Sequence, residues 1–278
     1  MKVSRGVNLF MDYHKLNSQK NTIRAYGSLL GKFRDHFPDR ELDTISSEEI
    51  LSFLTSLNDA CKQVTKHTRF AYLKALFNFI RNNLDAQLQN PCDNPMLKKL
   101  FRPGKLTQWQ IHEKDVIDEI IFRTPKVRNR LMLELMARGG MRVGEVLKLT
   151  AMDVDDQKLT IKNPKSGKSA EVVFIPKKLA DRLKDYLKTR ATAGNQRIFP
   201  ITYTAARVMV RKAGALVGVH FRPHDLRRHA ATYASRSGVP VEIVSKVILR
   251  HANLSTTQRY LGKISDVEAV RWVENLYG

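Results

Sequence analysis

The chain has 278 residues, 42% of them hydrophobic, and a formal net charge of +21 at pH 7. This length suits two domains of unequal size, and the apolar content is enough for folded cores. So large a positive charge is usually kept for a polyanionic partner, with nucleic acid the first candidate and an anionic membrane surface the second.

Signals for a membrane or for secretion are missing from the sequence pattern. No apolar run approaches the ~18 residues that span a bilayer, and the opening stretch MKVSRGVNLFMDYHK has no small-residue cleavage site. The two cysteines, Cys61 and Cys92, lack metal-type spacing. We therefore expect a cytoplasmic protein without membrane attachment, whose thiols stay reduced and inert.

The positive charge extends over both parts of the chain. Residues 1–100 hold 15 Lys and Arg against 10 Asp and Glu, and the remaining residues hold 33 against 17. Two basic parts fit a clamp better than a single basic patch.

The first hundred residues show helical periodicity. Ser46 followed by Glu49 is a capping box, which predicts a helix start. Two longer stretches carry apolar residues at spacings of three and four, which predicts one buried face on each helix. These residues are Ile23, Tyr26, Leu30, Phe33 and Phe37 in the first stretch and Phe70, Leu73, Leu76, Phe77 and Ile80 in the second.

The second of these helices begins with basic residues on its outward face, among them Lys66 and Arg69. A solvated helix face explains them, and so does a helix start that lies on DNA phosphates. We predict phosphate contacts from both side chains.

Three prolines and a glycine interrupt the periodicity over residues 90–105, which favours a connection between domains. We place a helical domain at 1–100, a linker at 101–107 and a second domain at 108–278.

The second domain carries helical patterns on both sides of a predicted β-hairpin. The hairpin strands are 158–162 and 170–175, joined by a turn that contains proline and glycine. The helical patterns cover 113–124, 127–138, 144–150, 178–190, 204–218, 224–238 and 241–251. We expect a mainly α fold with a small antiparallel β-sheet, and DNA contacts from Arg207 and Arg211 in the 204–218 helix.

Four segments of the second domain carry polar residues suited to chemistry on a phosphodiester. They are GGMRVGEV with Arg142, PKSGK with Lys165 and Lys168, HDLRRH with His224 and Arg227, and LRHANLSTTQRYLG with His251 and Tyr260. Taken singly, each has an ordinary explanation as a surface arginine, a turn lysine, a helix cap or a core tyrosine. His224 and His229 lie on different helix faces, and no further ligand completes a metal site.

Together these residues suit a metal-free site for phosphoryl transfer. Guanidinium groups match the non-bridging phosphate oxygens and stabilise the charge that develops as phosphorus becomes five-coordinate. A tyrosine activated by cationic neighbours or a base can attack phosphorus covalently, and a lysine can protonate the departing oxygen.

The set and its order resemble the tyrosine recombinase family of phage integrases and Xer-like proteins, over nearly the whole chain. The resemblance implies a helical, SAM-like core-binding domain followed by a catalytic domain. It implies that Arg142, Arg227, His224 and His251 serve the scissile phosphate, with Glu145 as a supporting acid. Tyr260 would be the nucleophile.

The lysine of the family's β-hairpin falls best on Lys165, where it would act as general acid. Lys168 is the alternative, because the turn contains Pro164 and is one residue longer than in the common Xer pattern. Arg250 stands where the family usually has glycine, which either adds a phosphate contact or changes how the turn is packed.

By resemblance, double-stranded DNA is the partner, cleaved and rejoined through a 3′-phosphotyrosine and a Holliday junction without metal, cofactor or ATP. A homo-tetramer would act on two DNA sites, and accessory proteins are further candidate partners. The rival functions are a type IB topoisomerase-like nicking-closing enzyme and a non-catalytic architectural DNA-binding protein.

The tail beyond Tyr260 is predicted to form a further helix. Ser265 and Glu268 form another capping box, and Val267, Val270, Val273 and Leu276 make a narrow apolar seam. The seam packs either on its own domain or, as the resemblance implies, on a neighbouring protomer.

Overall fold

The computed structural model describes residues 1–104, 111–164, 167–190, 194–258, 260–261 and 266–277, with the backbone alone for 266–268 and 276–277. The chain forms two compact units, Met1–Thr107 and Gln108–Gly278. Each unit encloses its own hydrophobic core. The fold is mainly helical with one small antiparallel sheet, and this predicted fold class is confirmed.

In its described part the first unit has helices and no strand, apart from an isolated antiparallel β-bridge between Lys2 and Glu41. Its helices are α1 Val3–Asn17, α2 Lys20–His36, α3 Ser47–Leu57, α4 Gln63–Asn83 and α5 Pro95–Leu100. The predicted capping box is confirmed, since Ser46 Oγ accepts from the Glu49 amide at 3.2 Å and the Glu49 carboxylate accepts from the Ser46 amide at 3.0 Å.

The core of the first unit lies between α1, α2, α3 and α4. All five residues predicted to face inward on α4 are buried, and Phe33 packs edge-on against Phe53 and Phe77. Phe101 is buried as well, stacked on Phe70 at 5.2 Å between ring centroids. The packed core therefore includes the first residue of the segment predicted as a linker.

The second unit places helices around a three-stranded sheet. The helices are α6 Lys114–Arg123, α7 Val127–Arg138, α8 Val143–Val146, α9 Lys177–Arg190, α10 Tyr203–Ala215, α11 Pro223–Arg236, α12 Val241–Ile243, α13 Leu254–Gln258 and α14 Asp266–Tyr277. Helix α11 packs against α7 and carries eight buried residues, so its amino-terminal end is held firmly in the unit.

The sheet has the order β1–β2–β3, with β1 Val154–Asp155, β2 Lys158–Lys162 and β3 Ala170–Phe174, all antiparallel. The predicted hairpin is confirmed as β2 and β3. Strand β1 was not predicted, because two residues are too few to show an alternation. Ile161 pairs with Glu171, so a carboxylate lies on the same inward face as Val173.

Two predicted helices are shorter than expected. The 144–150 pattern gives only α8, because Leu149 accepts a backbone hydrogen bond from Ile198 and Thr150 pairs with Arg197 in a β-bridge. The 241–251 pattern gives α12 followed by one turn of π-helix over Val244–Ile248. The chain leaves this turn through Arg250, whose φ of +53° ends the helical geometry.

Among the described residues, no helix combines the length and the apolar character needed to cross a bilayer.

Candidate active site

The loop after α7 positions the first arginine. Gly140 follows the end of α7 with a φ of +59°, a conformation that glycine adopts at low cost. The turn makes Arg142 the N-cap of α8. Arg142 Nη1 donates to Glu145 Oε1 at 2.6 Å, and the Arg142 amide donates to Oε2 at 2.8 Å. The buried Glu145 thus fixes both the backbone and the guanidinium of Arg142.

Arg227, from the amino-terminal half of α11, is the second arginine and is fully buried. Its Nη1 donates to the Gly140 carbonyl and its Nη2 to the Leu249 carbonyl, while Nε has no hydrogen-bond partner. Burial and the nearby charge of Arg142 lower the pKa of Arg227 to about 10. The guanidinium therefore stays charged at neutral pH.

His251 is buried beside Arg227 and is neutral. Desolvation and the charges of Arg227 and Arg142 lower its pKa to about 4. Its Nε2 lies 3.4 Å from Arg227 Nη2. Because a guanidinium only donates, this contact places the ring proton on Nδ1.

A pair of buried hydroxyls holds the other side of the His251 ring. Nδ1 lies 3.0 Å from Thr257 Oγ1, which donates to Ser245 Oγ at 2.8 Å. The His251 amide also donates to the Ser245 carbonyl at 2.9 Å. Ser245 belongs to the π-helical turn, so that turn sets the position of the imidazole. Neither hydroxyl was predicted as part of the site.

Tyr260 follows α13 and turns back toward α11. Its hydroxyl lies 3.3 Å from His224 Nε2, and its ring centroid lies 5.0 Å from that of His251. Thr232 Oγ1 donates to the Tyr260 carbonyl at 3.1 Å, which ties the tyrosine backbone to α11. Partial desolvation and the charge of Arg228, whose guanidinium carbon is 6.0 Å from the tyrosine ring centre, lower the pKa of His224.

Five of the six predicted catalytic residues therefore lie in one cluster, in which the charge of Arg142 acts on both histidines and on Arg227. The sixth, Lys165, lies outside the described residues. Its alternative Lys168 lines a cavity of about 450 Å³ together with Glu171, Arg250 and His251. That cavity brings the far end of the hairpin turn next to the cluster.

Arg250 was noted in the sequence only as a departure from the family. Its side chain is buried, and its Nη2 donates to Glu145 Oε2 at 2.8 Å while Nε lies 3.4 Å from Glu171 Oε2. Of the two expectations for this position, the structure supports the altered packing of the turn. Glu171 itself was missed, although its inward position follows from the alternation along β3.

The four predicted DNA-binding residues lie in different settings. Arg207 and Arg211 are exposed on α10, four residues apart on one face. Lys66 is half-buried on α4. Arg69 Nη1 donates to the Leu57 carbonyl and, at 3.0 Å, to Asn58 Oδ1, so this arm of its guanidinium stabilises the end of α3.

No group of three or more His, Cys, Asp or Glu side chains in the described ranges is arranged to hold a metal ion. Cys92 is buried in the core of the first unit, and desolvation raises the pKa of its thiol to about 12.

Arginines, histidines and a tyrosine gathered on a helical domain with a β-hairpin suit phosphoryl transfer on a phosphodiester. Comparisons with known proteins specify the family. The chain belongs to the phage integrase family: the sequence model of that family matches residues 111–265, and the model of the phage integrase N-terminal SAM-like domain matches residues 7–83. The resemblance drawn from the sequence motifs is confirmed. The chain is thus a tyrosine recombinase, an enzyme of site-specific DNA cleavage and rejoining.

Similar proteins include the tyrosine recombinases XerA of two Pyrococcus species. The protein of Pyrococcus horikoshii is 31% identical over 263 residues, which cover 90% of this chain and 86% of that protein. The protein of Pyrococcus furiosus is 29% identical over an alignment of 289 positions, which spans 97% of this chain and 95% of that protein.

Solved structures share the fold. The Tn1549 transposon integrase in complex with transposon right-end DNA aligns with a TM-score of 0.76 at 15% identity, over 100% of both chains. The XerH site-specific recombinase bound to a palindromic difH substrate aligns with a TM-score of 0.69 at 21% identity, over 94% of this chain and 80% of that chain.

Proposed function

We propose that Tyr260 is the nucleophile with which this recombinase cleaves double-stranded DNA, forming a 3′-phosphotyrosine bond and releasing a 5′-hydroxyl. The observation that carries the proposal is the 3.3 Å contact between the Tyr260 hydroxyl and His224 Nε2, inside a cluster of buried guanidiniums. A phenol needs a proton acceptor and nearby positive charge to attack phosphorus, and this position supplies both.

Proton transfer begins at His224. Because the pKa of His224 is lowered, the imidazole is neutral near pH 7 and its Nε2 can accept the tyrosine proton. The tyrosine oxygen then forms a bond to phosphorus, and the bond from phosphorus to the 5′ oxygen breaks. The hairpin lysine, Lys165 or its alternative Lys168, protonates that leaving oxygen.

Arg142 and Arg227 bind the non-bridging oxygens of the phosphate and stabilise the additional charge of the transition state. His251 also binds the phosphate, by donating from Nε2. In the structure without DNA that atom accepts from Arg227. When a phosphate oxygen replaces the Arg227 contact, the tautomer of His251 with its proton on Nε2 is favoured. The Thr257 hydroxyl permits this change, because it can donate to Nδ1 as well as accept from it.

The bond energy of the cleaved strand is kept in the phosphotyrosine. Rejoining reverses the same steps with a 5′-hydroxyl from either duplex, so the reaction needs neither ATP nor another cofactor. The residues above supply the charge stabilisation that a metal ion would give. Exchange between two duplexes passes through a Holliday junction.

The two units have separate roles in this proposal. Residues 1–100 form the core-binding domain and 108–278 the catalytic domain, joined by the linker at 101–107. DNA complexes among structures of the same fold support DNA as the partner. The protein acts on DNA in the cytoplasm as a homo-tetramer on two sites, with accessory proteins as further candidate partners.

The tail helix α14 supports the tetrameric assembly. Val270 and Val273 are more than half exposed on it, while Trp272 reaches Gly238 of its own unit. The exposed valines leave apolar area that a neighbouring protomer can cover. The predicted capping residue Ser265 and the side chains of Val267, Glu268 and Leu276 lie outside the described residues.

The test is covalent capture on a nicked suicide substrate selected from genomic DNA by binding. The parent protein forms a DNA adduct, and Tyr260→Phe binds the same DNA and forms none. Tyr233→Phe, which alters an exposed tyrosine on α11, is the matched control and keeps adduct formation. An adduct with Tyr260→Phe contradicts the assignment of the nucleophile.

A further inference from the structure

Arg250 occupies a backbone position that is unfavourable for its side chain. Its φ of +53° lies in the left-handed region, where glycine is preferred over a bulky residue. Its side chain is nonetheless only 4% exposed. A residue with a long charged side chain is kept in such a conformation only when its contacts compensate for the strain.

The contacts of Arg250 join it to two buried carboxylates and two carbonyls. Nη2 donates to Glu145 Oε2 at 2.8 Å, Nη1 donates to the Ile248 carbonyl at 2.8 Å, and the Gly140 carbonyl lies 3.5 Å from Nη2. Nε forms an ion pair with Glu171 Oε2 at 3.4 Å. The Gly140 carbonyl is the same one that accepts from Arg227.

Positive and negative groups alternate along this network. Glu145 lies between Arg142 and Arg250, and Arg250 lies between Glu145 and Glu171. With Arg227, three guanidiniums face two carboxylates, which leaves one net positive charge when the histidines are neutral. Loss of Arg250 alone would reduce that net charge to zero, next to the place where a phosphate must bind.

Arg250 also determines how Glu145 is shared. One oxygen of Glu145 pairs with the Arg142 guanidinium, and the other accepts from the Arg142 amide and from Arg250. Although burial opposes ionisation of Glu145, the charges of Arg250 and Arg142 hold its pKa below the ordinary value. The carboxylate is therefore ionised and divided between two cations.

We propose that Arg250 is a positioning residue for DNA cleavage: it shares the Glu145 carboxylate with Arg142 and so keeps the net charge of the active site positive. Glu171 on β3 supplies the negative charge that pairs with Arg250. Arg250 acts through Arg142 rather than on the phosphate. The inference rests on the proposed phosphate-binding role of Arg142. It gives a function to Arg250, which the sequence marked only as a departure from the family, and to Glu171, which lies outside the four sequence segments that carry the predicted catalytic residues.

The test compares the cleavage rates of the parent protein, a single variant and a double variant, measured in single turnover on the suicide substrate at saturating DNA. Arg250→Met keeps side-chain volume and removes the charge. It should cleave about 10- to 100-fold more slowly, a loss of the size found when groups that orient metal ligands are removed, while its Kd for DNA stays unchanged. Adding Glu171→Gln removes the unpaired carboxylate and should recover most of the lost rate.

Arg182→Met is the matched control, because Arg182 also pairs with a buried carboxylate, Glu134, at 2.6 Å but lies on α9 away from the cluster. It should keep the parent cleavage rate. Melting temperatures of all variants identify any that do not fold.

The proposal is overturned if Arg250→Met cleaves at the parent rate, or if the double variant cleaves no faster than Arg250→Met. If Arg250→Met does not fold, the double variant alone decides the outcome. A double variant that folds and cleaves DNA supports the proposed charge balance, and one that folds but does not cleave refutes the proposal. A parent protein that forms no adduct would refute the proposed function instead.

Discussion

Lowering the pH from 7 to 5 should destabilise this protein more than a variant that lacks His251. The pKa of His251 is about 4 in the folded protein, because desolvation and the neighbouring arginine charges disfavour the imidazolium, and ~6.5 in an unfolded chain. As the pH falls, the unfolded chain takes up the proton first. Stability is therefore lost between pH ~6.5 and ~4, and the loss stops below the folded pKa.

The size of this effect follows from the two pKa values. At pH 5 the unfolded imidazole is almost fully protonated and the folded one almost fully neutral, which amounts to about 2 kcal/mol less stability than at pH 7. His251→Gln keeps a hydrogen-bonding side chain that does not titrate. Comparing the two proteins subtracts the titration of groups that the substitution leaves unchanged, so the difference reports on His251.

The assay is urea denaturation of the parent and of His251→Gln, followed by circular dichroism at several pH values from 7 to 5. The parent should lose about 2 kcal/mol more than the variant over this interval. Parallel curves for the two proteins would refute the reasoning, because they would mean that His251 has the same pKa in the folded and unfolded chain.

Further predictions concern the general acid, the metal, the DNA contacts and the tail. Lys165→Ala should strongly slow cleavage of a normal phosphodiester. A 5′-bridging phosphorothiolate, whose sulfur leaves without a proton, should largely restore the rate. If Lys168→Ala shows this pattern and Lys165→Ala does not, Lys168 is the general acid. Cleavage should persist in EDTA, and complete loss restored by magnesium would indicate a metal-dependent nuclease. Lys66→Ala and Arg207→Ala should each lower the salt slope of DNA binding by ~1, whereas an unchanged slope would mean a solvated side chain. Deletion of 266–278 should leave single-site binding intact while strand exchange falls, and a loss of single-site binding would place the tail in its own domain.

The features that were predicted correctly are set by local patterns. The inward face of α4 follows from the spacing of Phe70, Leu73 and the apolar residues after them, and the start of α3 follows from Ser46 and Glu49. Each depends on residues within a few positions of one another, where helix geometry decides which side chains meet.

The features that were missed depend on contacts between distant parts of the chain. The pattern over 241–251 is helical, but the π-helical turn within it is held by contacts such as the Ser245–Thr257 hydrogen bond. Arg250 is 79 positions from Glu171 and 105 from Glu145 in sequence. No periodicity indicates that these three charges are buried together, and only the fold brings them into contact.

Identification of the residue that becomes linked to DNA tests the central claim most directly. The covalent complex of the parent protein with a suicide substrate is digested with protease and nuclease, and the modified peptide is sequenced by mass spectrometry. The account predicts a single peptide in which Tyr260 carries a nucleoside through its 3′-phosphate. A nucleotide on another residue, or a link through a 5′-phosphate, would contradict it.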